Sequence, residues 1–437
     1  MPSPPMITPT LNDRVRRVNV LAFSISLWAV AMGACALAQT YGWLLLARLG
    51  LGAVTATAGP AIASLTGDFF PAAERGKIYG YILSGELLGA GIGFVVSGTV
   101  AATVSWRAAF AVLALPAAGL ALAIWRALPE PARGAQTRRE HAPVRPLGAA
   151  RRAIESRDIN PVPGRVLHRD PGELTVRQAI GYVLRIPTNR WLIAAGAVGY
   201  FFFAGMRTFA LVFVRGHLAL GQSTATALLF LAGIGALAGV LVSGRLADKL
   251  IQRSRINARV LVGAVSYLAA AALLAPALLL TIVPVALPLL MAAGAALSAP
   301  NPPIDAARLD IMPAGLWGRA EGIRTMLRQS AQASAPLLFG LVADLLGGAG
   351  AGRSQQYIPP ATTRALQETF LIMLVPIALT GLTLLGARRR YAADVATAIA
   401  SERSLKSAAD ESPPRQPPQR RRRRARGSAV SPARTAG

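Results

Sequence analysis

The sequence predicts an all-α membrane protein, and three observations support this fold class. Of the 437 residues, 53% are hydrophobic and only 15% are charged, a composition too apolar for a soluble protein. Apolar runs of about 20 residues recur along the chain, and each is long enough to cross a hydrocarbon core of about 30 Å as a helix. The chain shows no alternating pattern typical of a transmembrane barrel, so helices are the expected spanning elements.

Ten of these runs are predicted to be transmembrane helices, divided by a basic linker into a group of four and a group of six. They are residues 18–38, 43–67, 77–104, 107–126, 191–215, 223–246, 257–279, 281–306, 322–346 and 367–387.

Positive charge predicts the orientation of these helices. The formal net charge of +26 comes largely from the opening "RVRR", residues 126–190, the loop "DKLIQRSRINAR" and the C-terminal tail, whereas the intervening connections carry at most one or two Arg. Cytoplasmic loops of membrane proteins are enriched in Lys and Arg. Both termini are therefore predicted to be cytoplasmic.

The linker at residues 127–190 is rich in Arg, Pro and Gly and is predicted to be mobile over much of its length. Near its end, Leu174, Ile180 and Leu184 lie among Arg177 and Arg185 at helical spacing. This pattern suits an amphipathic helix on the inner leaflet, and a plain cytoplasmic helix is the alternative.

The C-terminal tail, residues 388–437, is too polar to bury a core and is predicted to be disordered. It contains the run Arg420 to Arg424. Because polybasic stretches beside a membrane attract anionic lipid headgroups, such lipids are the expected partners of the linker and the tail. No nucleic-acid partner is expected.

The loop between the sixth and seventh spans contains the sequence "GRLADKLIQR". Gly244 allows two helices to approach, Asp248 is placed to cap or pair across the loop, and Lys249 and Arg253 supply cations. This sequence resembles the signature of the major facilitator superfamily, G-x-L-A-D-R-x-x-x-R. In that family the signature joins the second and third helices of each six-helix half.

The opening stretch "LNDRVRRVNVL" resembles the second part of the same signature. Asp13 matches Asp248 and Arg14 matches Lys249, whereas Pro9 stands at the glycine position and no apolar span precedes it. The ten spans therefore correspond to helices three to twelve of a twelve-helix fold, and the first two helices are expected to be missing.

Further pieces of the chain resemble the same family, over about residues 9–390. The segment "RLGLGAVTATAGP", with Arg48 and Gly52, resembles the R-x-x-x-G signature of the fourth helix. Gly85, Gly89 and Gly93 follow at four-residue spacing on the fifth-helix equivalent, which predicts close packing of a neighbouring helix along one stripe.

The resemblance implies two helix bundles with a small-solute site between them. The subfamily is unresolved: the first half is somewhat similar to spinster-like and to sugar- or drug-type members. Ala53 stands where spinster-like proteins carry Glu, so a lipid substrate is not carried over. The expected domains are a remnant loop at 1–17, an incomplete N-terminal bundle at 18–126, the linker with its amphipathic helix at 127–190, a six-helix bundle at 191–387 and the tail at 388–437.

The implied function is secondary active transport of a small solute across the bacterial inner membrane. The family works by alternating access, here either coupled to an ion such as the proton or facilitative. The alternative is a truncated, non-transporting membrane protein or a scaffold.

Ionisable side chains within a span are candidates for function, because each costs about 2.5–3.5 kcal/mol on insertion scales. Glu86 lies near the predicted midplane and is a candidate for proton coupling, with a structural or lipid-boundary role as the alternative. Arg48 lies on the fourth-helix equivalent, where the matching arginine of the family is associated with coupling. Because its usual partner helix is missing, Glu86 is the expected substitute partner.

Polar groups in the second half complete the candidate site. Arg207 lies beside the aromatic run Tyr200 to Phe203, which together suit an anionic or aromatic substrate; the alternative is an arginine that snorkels outward. The remaining candidates, which share the predicted cavity face, are Asn301, Asp305, Arg328 and Gln332. Asp305 is near the cytoplasmic end, which favours a gate contact.

The signature residues are expected to form a cytoplasmic latch rather than to touch substrate. They are Asp13, Arg14, Gly244, Asp248, Lys249 and Arg253. Enzyme chemistry finds little support, since His141, His168 and His217 lack metal-ligand spacing and no Walker-type loop is present. No metal, cofactor or ATP hydrolysis is expected.

Overall fold

The computed structural model describes residues 17–71, 74–131, 154, 157–253, 255–347 and 358–411, and within these ranges the chain forms twelve α-helices. Short 3₁₀ turns at Pro163–Arg165, Pro171–Glu173 and Ala314–Leu316 lie in the connections. The helices are α1 (Arg17–Ala36), α2 (Tyr41–Phe69), α3 (Arg75–Thr103), α4 (Trp106–Ala127), α5 (Val176–Arg185), α6 (Pro187–His217), α7 (Gln222–Gln252), α8 (Ala258–Leu279), α9 (Val283–Ser298), α10 (Asn301–Asp310), α11 (Trp317–Leu345) and α12 (Pro360–Glu411).

Helices α1 to α4 form the first helix group. α1 packs along α2 and α4, and α3 packs on α4. Side chains cap two of the helix starts, because Thr40 accepts a hydrogen bond from the Trp43 amide and Ser105 accepts one from the Ala108 amide. The buried core of this group contains Val18, Leu21, Ala61 and Leu65.

Helices α6 to α12 form the second, larger group. α6 packs on α11 and α12, α8 packs on α9 and α12, and α7 packs on α9. Glycines bring α7 and α9 into backbone contact, since a Cβ added at Gly235 or Gly239 would lie 2.1 Å from a carbonyl oxygen of α9.

Seven helical segments of the described residues are long and apolar enough to cross a membrane, and one of them combines α9 and α10. They cover Arg17–Ala36, Trp106–Ala127, Pro187–His217, Thr224–Gln252, Ala258–Leu279, Val283–Asp310 and Pro360–Leu405. α2, α3 and α11 coincide with the other three predicted spans but are not among these seven; in α11, charged side chains such as Glu321, Arg324 and Arg328 occupy the first half. The all-helical membrane fold is confirmed, whereas the number of ten spans is not.

One end of the helices carries the interhelical ion pairs and is called the linker end. There α1, α3, α6, α8 and α11 begin, and α2, α4, α7 and α10 end. Residues 157–186 of the linker lie at this end, against the C-terminal part of α12.

The prediction of a disordered tail from residue 388 was wrong as far as Glu411. α12 continues without a break to that residue, and its extension buries Tyr391, Asp394 and Ser401. The physical reason is a packing partner that composition does not show, namely the linker itself. Residues 412–437, with the run Arg420 to Arg424, lie outside the described residues.

The linker segment 157–186 and the α12 extension 388–411 form a collar around the linker end. The amide of Val162 donates to Thr397 Oγ1 at 3.0 Å, and the amide of Leu167 donates to Ser401 Oγ at 2.9 Å. Side chains of α12 therefore satisfy linker backbone groups that no regular structure pairs. The predicted mobility of the linker is wrong for this segment.

Arginine and tyrosine side chains fix the collar further. Arg165 pairs with Asp394 at 3.3 Å, and the Tyr182 hydroxyl donates to the Arg165 carbonyl at 3.2 Å. Burial is the main cause of the raised pKa of the Tyr182 phenol, which stays protonated and able to donate. Arg319, in the first turn of α11, donates to the Pro171 carbonyl at 2.7 Å and so connects the collar to that helix.

The short helix expected at the end of the linker is α5, which begins with a capping box between Thr175 and Gln178. Its buried face is Ala179, Tyr182 and Val183. The exposed apolar side chains, at four-residue spacing, are Val176, Ile180 and Leu184. α5 thus presents an apolar stripe away from the protein.

Candidate functional site

The two helix groups contain a sequence repeat that organises the site. Identical residues stand at one constant separation along the chain, in the pairs Arg17 and Arg259, Asp68 and Asp310, Pro71 and Pro313, and Gly76 and Gly318. The repeat relates α1, α2 and α3 to α8, α9 with α10, and α11. Equivalent residues are therefore expected to make equivalent contacts in the two groups.

Arg17 holds the linker end of the first group together. Its guanidinium contacts the Asp68 carboxylate of α2, donates to Ser64 Oγ at 2.7 Å and pairs with Glu130, beyond α4, at 3.0 Å. Arg17 and Asp68 are almost fully buried. One arginine thus joins the start of α1 to the ends of α2 and α4.

Arg259 makes the equivalent contact in the second group. Its guanidinium contacts the Asp310 carboxylate of α10 and pairs with Asp248 of α7 at 3.0 Å. The Tyr391 hydroxyl, on the α12 extension, donates to Asp310 at 2.7 Å. The start of α8 is therefore fixed to α7, α10 and α12.

Asp248 also connects the two groups. Its Oδ2 accepts a hydrogen bond from the Lys77 amide at 2.7 Å, in the first turn of α3, where the helix dipole favours a negative charge. Beside it, a Cβ added at Gly244 would lie 2.2 Å from the Gly76 carbonyl oxygen, so glycine permits this crossing of α3 and α7. Lys249 and Arg253 are exposed.

A second contact between the groups joins the starts of α3 and α11. The Arg75 guanidinium lies 4.7 Å from the Trp317 ring centroid and 3.7 Å from Asp310. The Trp317 ring also lies against Gly67, where a Cβ would come within 2.0 Å of it. Together with the contacts of Asp248 and Gly244, these residues close the linker end, and we call them the gate.

Below the gate, four charged residues of α10 and α11 form a buried cluster without net charge. Arg308 pairs with Asp305 and with Glu321, each at 2.7 Å. Arg324 pairs with Glu321 at 2.6 Å and with Asp305 at 3.3 Å. Asp305 is thus committed to two arginines and is not available to a solute.

A cleft lined by polar and apolar side chains lies between the two groups, and its empty space of about 490 Å³ is partly open to solvent. Its lining comes from α3, α6, α7, α9 and α10 and includes Glu86, Tyr200, Phe203, Ser298 and Asn301. Glu86 lies eleven residues into α3, about 16 Å from its start, so the cleft is in the middle of the helices.

Arg328 lies beside this cleft, with its guanidinium 4.7 Å from the Tyr200 ring centroid. Within the described part of the chain no carboxylate pairs with it, and its Nε is buried without a hydrogen-bond partner. Gln332, one turn further along α11, is half-buried. The cation that contacts the aromatic run Tyr200 to Phe203 is therefore Arg328.

Two arginines named from the sequence lie apart from the cleft lining. Arg207 is exposed, and Arg48 is exposed with its guanidinium 4.8 Å from the Phe110 ring centroid of α4. Among the described residues no ion pair joins Arg48 to Glu86, so the expected substitute pairing is not observed. Asp13 and Arg14 lie outside the described residues.

The close packing predicted for the glycine stripe is not observed in the described structure. A Cβ added at Gly52, Gly85, Gly89 or Gly93 would meet no atom within 4 Å. The reason is the direction of the stripe: α3 contacts α7 through the face that bears Gly76 and Gly80 instead.

The arginine and aspartate pairs of the gate region were not singled out from the sequence. Arg17, Asp68, Arg259 and Asp310 occupy equivalent positions in the repeat, and comparing the two halves would have found them. A separate cavity within the second group is almost wholly apolar, with His217 at its edge, and of the aromatic run Tyr200 to Phe203 it is lined by Phe202.

Two repeated helix groups, a cleft with polar side chains between them and closure at one end define an integral membrane protein of the secondary-transporter architecture. The Major Facilitator Superfamily model matches residues 5–336, and the chain belongs to this family, whose members are transporters rather than enzymes. The resemblance found in the sequence is thereby confirmed.

Individual relatives match less fully. A hexuronate transporter of Escherichia coli (strain K12) is 38% identical over 94 residues, which is 22% of this chain and 22% of that protein. This chain therefore matches only about a fifth of the length of that curated relative.

Solved structures share the fold at low sequence identity. A proton:xylose symporter bound to a bromodeoxyglucose matches with a TM-score of 0.61 and 16% identity, over 86% of this chain and 81% of its own. A human organic anion transporter matches with a TM-score of 0.56 and 19% identity, over 84% of this chain and 78% of its own. An E. coli fucose:proton symporter matches with a TM-score of 0.54 and 13% identity, over 85% of this chain and 85% of its own.

Proposed function

We propose that this protein is a secondary active transporter that moves a small polar solute by alternating access. The observation that carries the proposal is the cleft between two helix groups, which contains polar side chains and which the gate closes at one end. A solute bound in the cleft would be exposed to one side of the membrane at a time as the gate opens and closes.

The linker end is the cytoplasmic side in this proposal. The described basic residues of the linker segment 157–190 and of the end of α7 lie at that end, and the positive-inside rule favours their retention in the cytoplasm. Both termini would then be cytoplasmic, in the inner membrane of a bacterium. The gate thus separates the cleft from the cytoplasm.

Opening of the gate would separate the groups while leaving each group intact. The contacts that would break are those of Asp248 with the Lys77 amide and of Arg75 with Trp317 and Asp310. The Arg17 and Arg259 clusters lie within single groups and would move as rigid units. The Arg17 and Arg259 pairs would therefore stay intact in both states, which avoids the cost of an unpaired buried ion at these two places.

The solute and the coupling ion are proposed from chemistry and relatives together. Hydroxyl and amide groups of Ser298 and Asn301 line the cleft and suit a hydroxylated solute. The names of the similar proteins include hexuronate, xylose and fucose transporters, which fit such a solute. Glu86, the carboxylate in the cleft lining, is the proposed proton carrier; facilitative transport is the alternative.

A reversible lock of the gate tests this proposal. A Cβ at Gly76 would lie 2.7 Å from Asp248 Oδ1, so a Gly76→Cys, Asp248→Cys variant in a Cys35→Ala background can form a cross-link between the groups. We expect proteoliposomes to take up radiolabelled D-glucuronate or D-xylose. Oxidation should stop uptake by the double variant, and reductant should restore it.

The two single-cysteine variants are the matched controls and should not respond to oxidant. Uptake no greater than that of empty liposomes would favour the alternative of a non-transporting membrane protein. Uptake that continues in the oxidised, cross-linked protein would exclude the gate from the transport cycle.

A further inference from the structure

We propose that the cleft binds the carboxylate of an anionic solute and that the Arg328 guanidinium is the group that binds it. This inference rests on the proposed function and deepens it, because it names the chemical class of the solute. The solute would be a small hydroxylated monocarboxylate, because Ser298 and Asn301 on the cleft lining suit hydroxyl groups.

The charge balance of the second group is the first argument. The four-residue cluster of Asp305, Arg308, Glu321 and Arg324 is neutral, so each of its carboxylates is already satisfied by two arginines. Arg328 lies one turn beyond Arg324 on the same face of α11 and has no carboxylate of its own among the described residues. Its positive charge is therefore available to a ligand.

The sequence repeat is the second argument. Glu86 and Arg328 have the same separation along the chain as Gly76 and Gly318, so they occupy equivalent positions on α3 and α11. Both lie eleven residues from the start of their helix, at about the same depth in the membrane. The two halves thus place opposite charges at about the same depth, with Glu86 on the cleft lining and Arg328 behind Tyr200.

Tyr200 connects these two charges. Its ring stacks on Arg328, it lines the cleft beside Glu86, and its hydroxyl is within electrostatic range of both. A guanidinium that lies on an aromatic face keeps its edge free for two parallel hydrogen bonds to a carboxylate. The buried Nε of Arg328, which lacks a protein partner, belongs to that edge.

The cleft thereby discriminates by charge. A carboxylate at Arg328 would satisfy a buried donor, whereas a neutral solute of the same shape would leave that donor unpaired. Ser298 and Asn301 lie on the lining beside Tyr200, where they would receive the hydroxyl groups of the same solute. Glu86 would repel a second carboxylate, which favours monoanions over dianions.

Binding to the purified full chain in detergent tests the inference. The probes are D-glucuronate, D-gluconate and L-lactate, each compared with its neutral counterpart D-glucose, D-sorbitol or propane-1,2-diol at equal ionic strength. A ligand that binds the folded protein raises its Tm. We expect at least one carboxylate to raise the Tm and its neutral counterpart to leave it unchanged.

Three variants assign the effect to Arg328. Arg328→Gln should abolish the shift, and Arg328→Lys, which keeps the charge but not the planar fork, should weaken the affinity about tenfold or more. Arg364→Gln is the matched control, because Arg364 is an exposed arginine at the start of α12. If Arg328→Gln fails to fold, Arg328→Lys and the comparison of charged with neutral probes still decide the question.

Equal stabilisation by a carboxylate and its neutral counterpart would overturn the inference, as would a shift retained in Arg328→Gln. A panel in which no carboxylate raises the Tm would overturn it as well. Uptake of D-xylose that is unchanged in Arg328→Gln would leave the transporter proposal standing and remove only the anionic solute. If no solute is taken up but a carboxylate still raises the Tm, the transporter proposal would fall and the anion-binding inference would stand.

Discussion

Arg75 and Trp317 occupy equivalent positions in the two halves of the chain, and they contact each other across the interface, with 4.7 Å between the guanidinium and the ring centroid. Equivalent residues meet at a pseudo-symmetry axis. Here the first half contributes the cation of the contact and the second half contributes the aromatic ring. Neither half contains the complete contact. This contact holds the starts of α3 and α11 together at the linker end.

Gly244→Ala is expected to open the gate. The added Cβ would clash with the Gly76 carbonyl oxygen, which costs the closed state about 1–3 kcal/mol and raises the open population about tenfold. The measurement is the rate at which an impermeant maleimide labels a Ser84→Cys reporter, on the α3 face near α7, in a Cys35→Ala background. Gly89→Ala is the control, because a Cβ there meets open space. Equal labelling rates in the two variants would contradict the role given to Gly244.

Arg17→Gln and Arg259→Gln are each expected to lower stability by about 3–5 kcal/mol, because each leaves a buried carboxylate without its cation. The measurement is unfolding of the detergent-solubilised protein. Arg364→Gln is the control, since the Arg364 and Glu368 pair is exposed and worth about 0.3–0.5 kcal/mol.

The double variant Arg17→Gln, Asp68→Asn should recover much of the loss, because it removes both charges of the pair. A loss in Arg17→Gln no larger than that in Arg364→Gln would show that the buried pair contributes little to the fold.

Glu86→Gln is expected to remove the pH dependence of transport while the protein stays folded and inserted. Glu86 is the carboxylate that the described residues place on the cleft lining, and the amide cannot exchange a proton. The measurement is the initial rate of uptake into proteoliposomes between about pH 5 and pH 8. Glu368→Gln, an exposed carboxylate on α12, is the control. An unchanged pH profile in Glu86→Gln would exclude Glu86 from coupling.

The exposed stripe of α5 is expected to lie on the lipid surface. Val176, Ile180 and Leu184 face away from the protein, and Arg177 and Arg185 flank them, a pattern typical of interfacial helices. Fluorescence of an Ile180→Trp reporter, measured in a background with the native tryptophans replaced by Phe, should be quenched by brominated lipid. Quenching by aqueous iodide alone would support the alternative of a helix in the cytoplasm.

Hydropathy and positive charge were sufficient to predict the helical membrane fold, because each apolar run has to bury its own backbone groups within the bilayer. The α12 extension was not predictable in this way. Its sequence "RRRYAADVATAIASERS" is polar on average, and it is ordered because Thr397 and Ser401 accept hydrogen bonds from the linker, more than 200 residues earlier in the chain. Such a contact has no local signal.

The candidate site shows the same division between local and long-range information. Glu86 and Asn301 were predicted for the cavity because polar groups within spans are uncommon. Whether each charge is free to bind a solute depends on its partners. Asp305 is paired with Arg308 and Arg324, whereas Arg328 has no carboxylate partner among the described residues. Nothing in a single span distinguishes these two outcomes.

The collar sets an order for the biosynthesis of the molecule. The linker leaves the ribosome before the second helix group exists, and the α12 residues that accept its backbone amides are made after all the other helices. Until then the amides of Val162 and Leu167 lack the α12 side chains that accept their hydrogen bonds. The last described helix to be synthesised therefore completes the linker end, and a nascent protein released before α12 would lack the side chains that hold the linker amides.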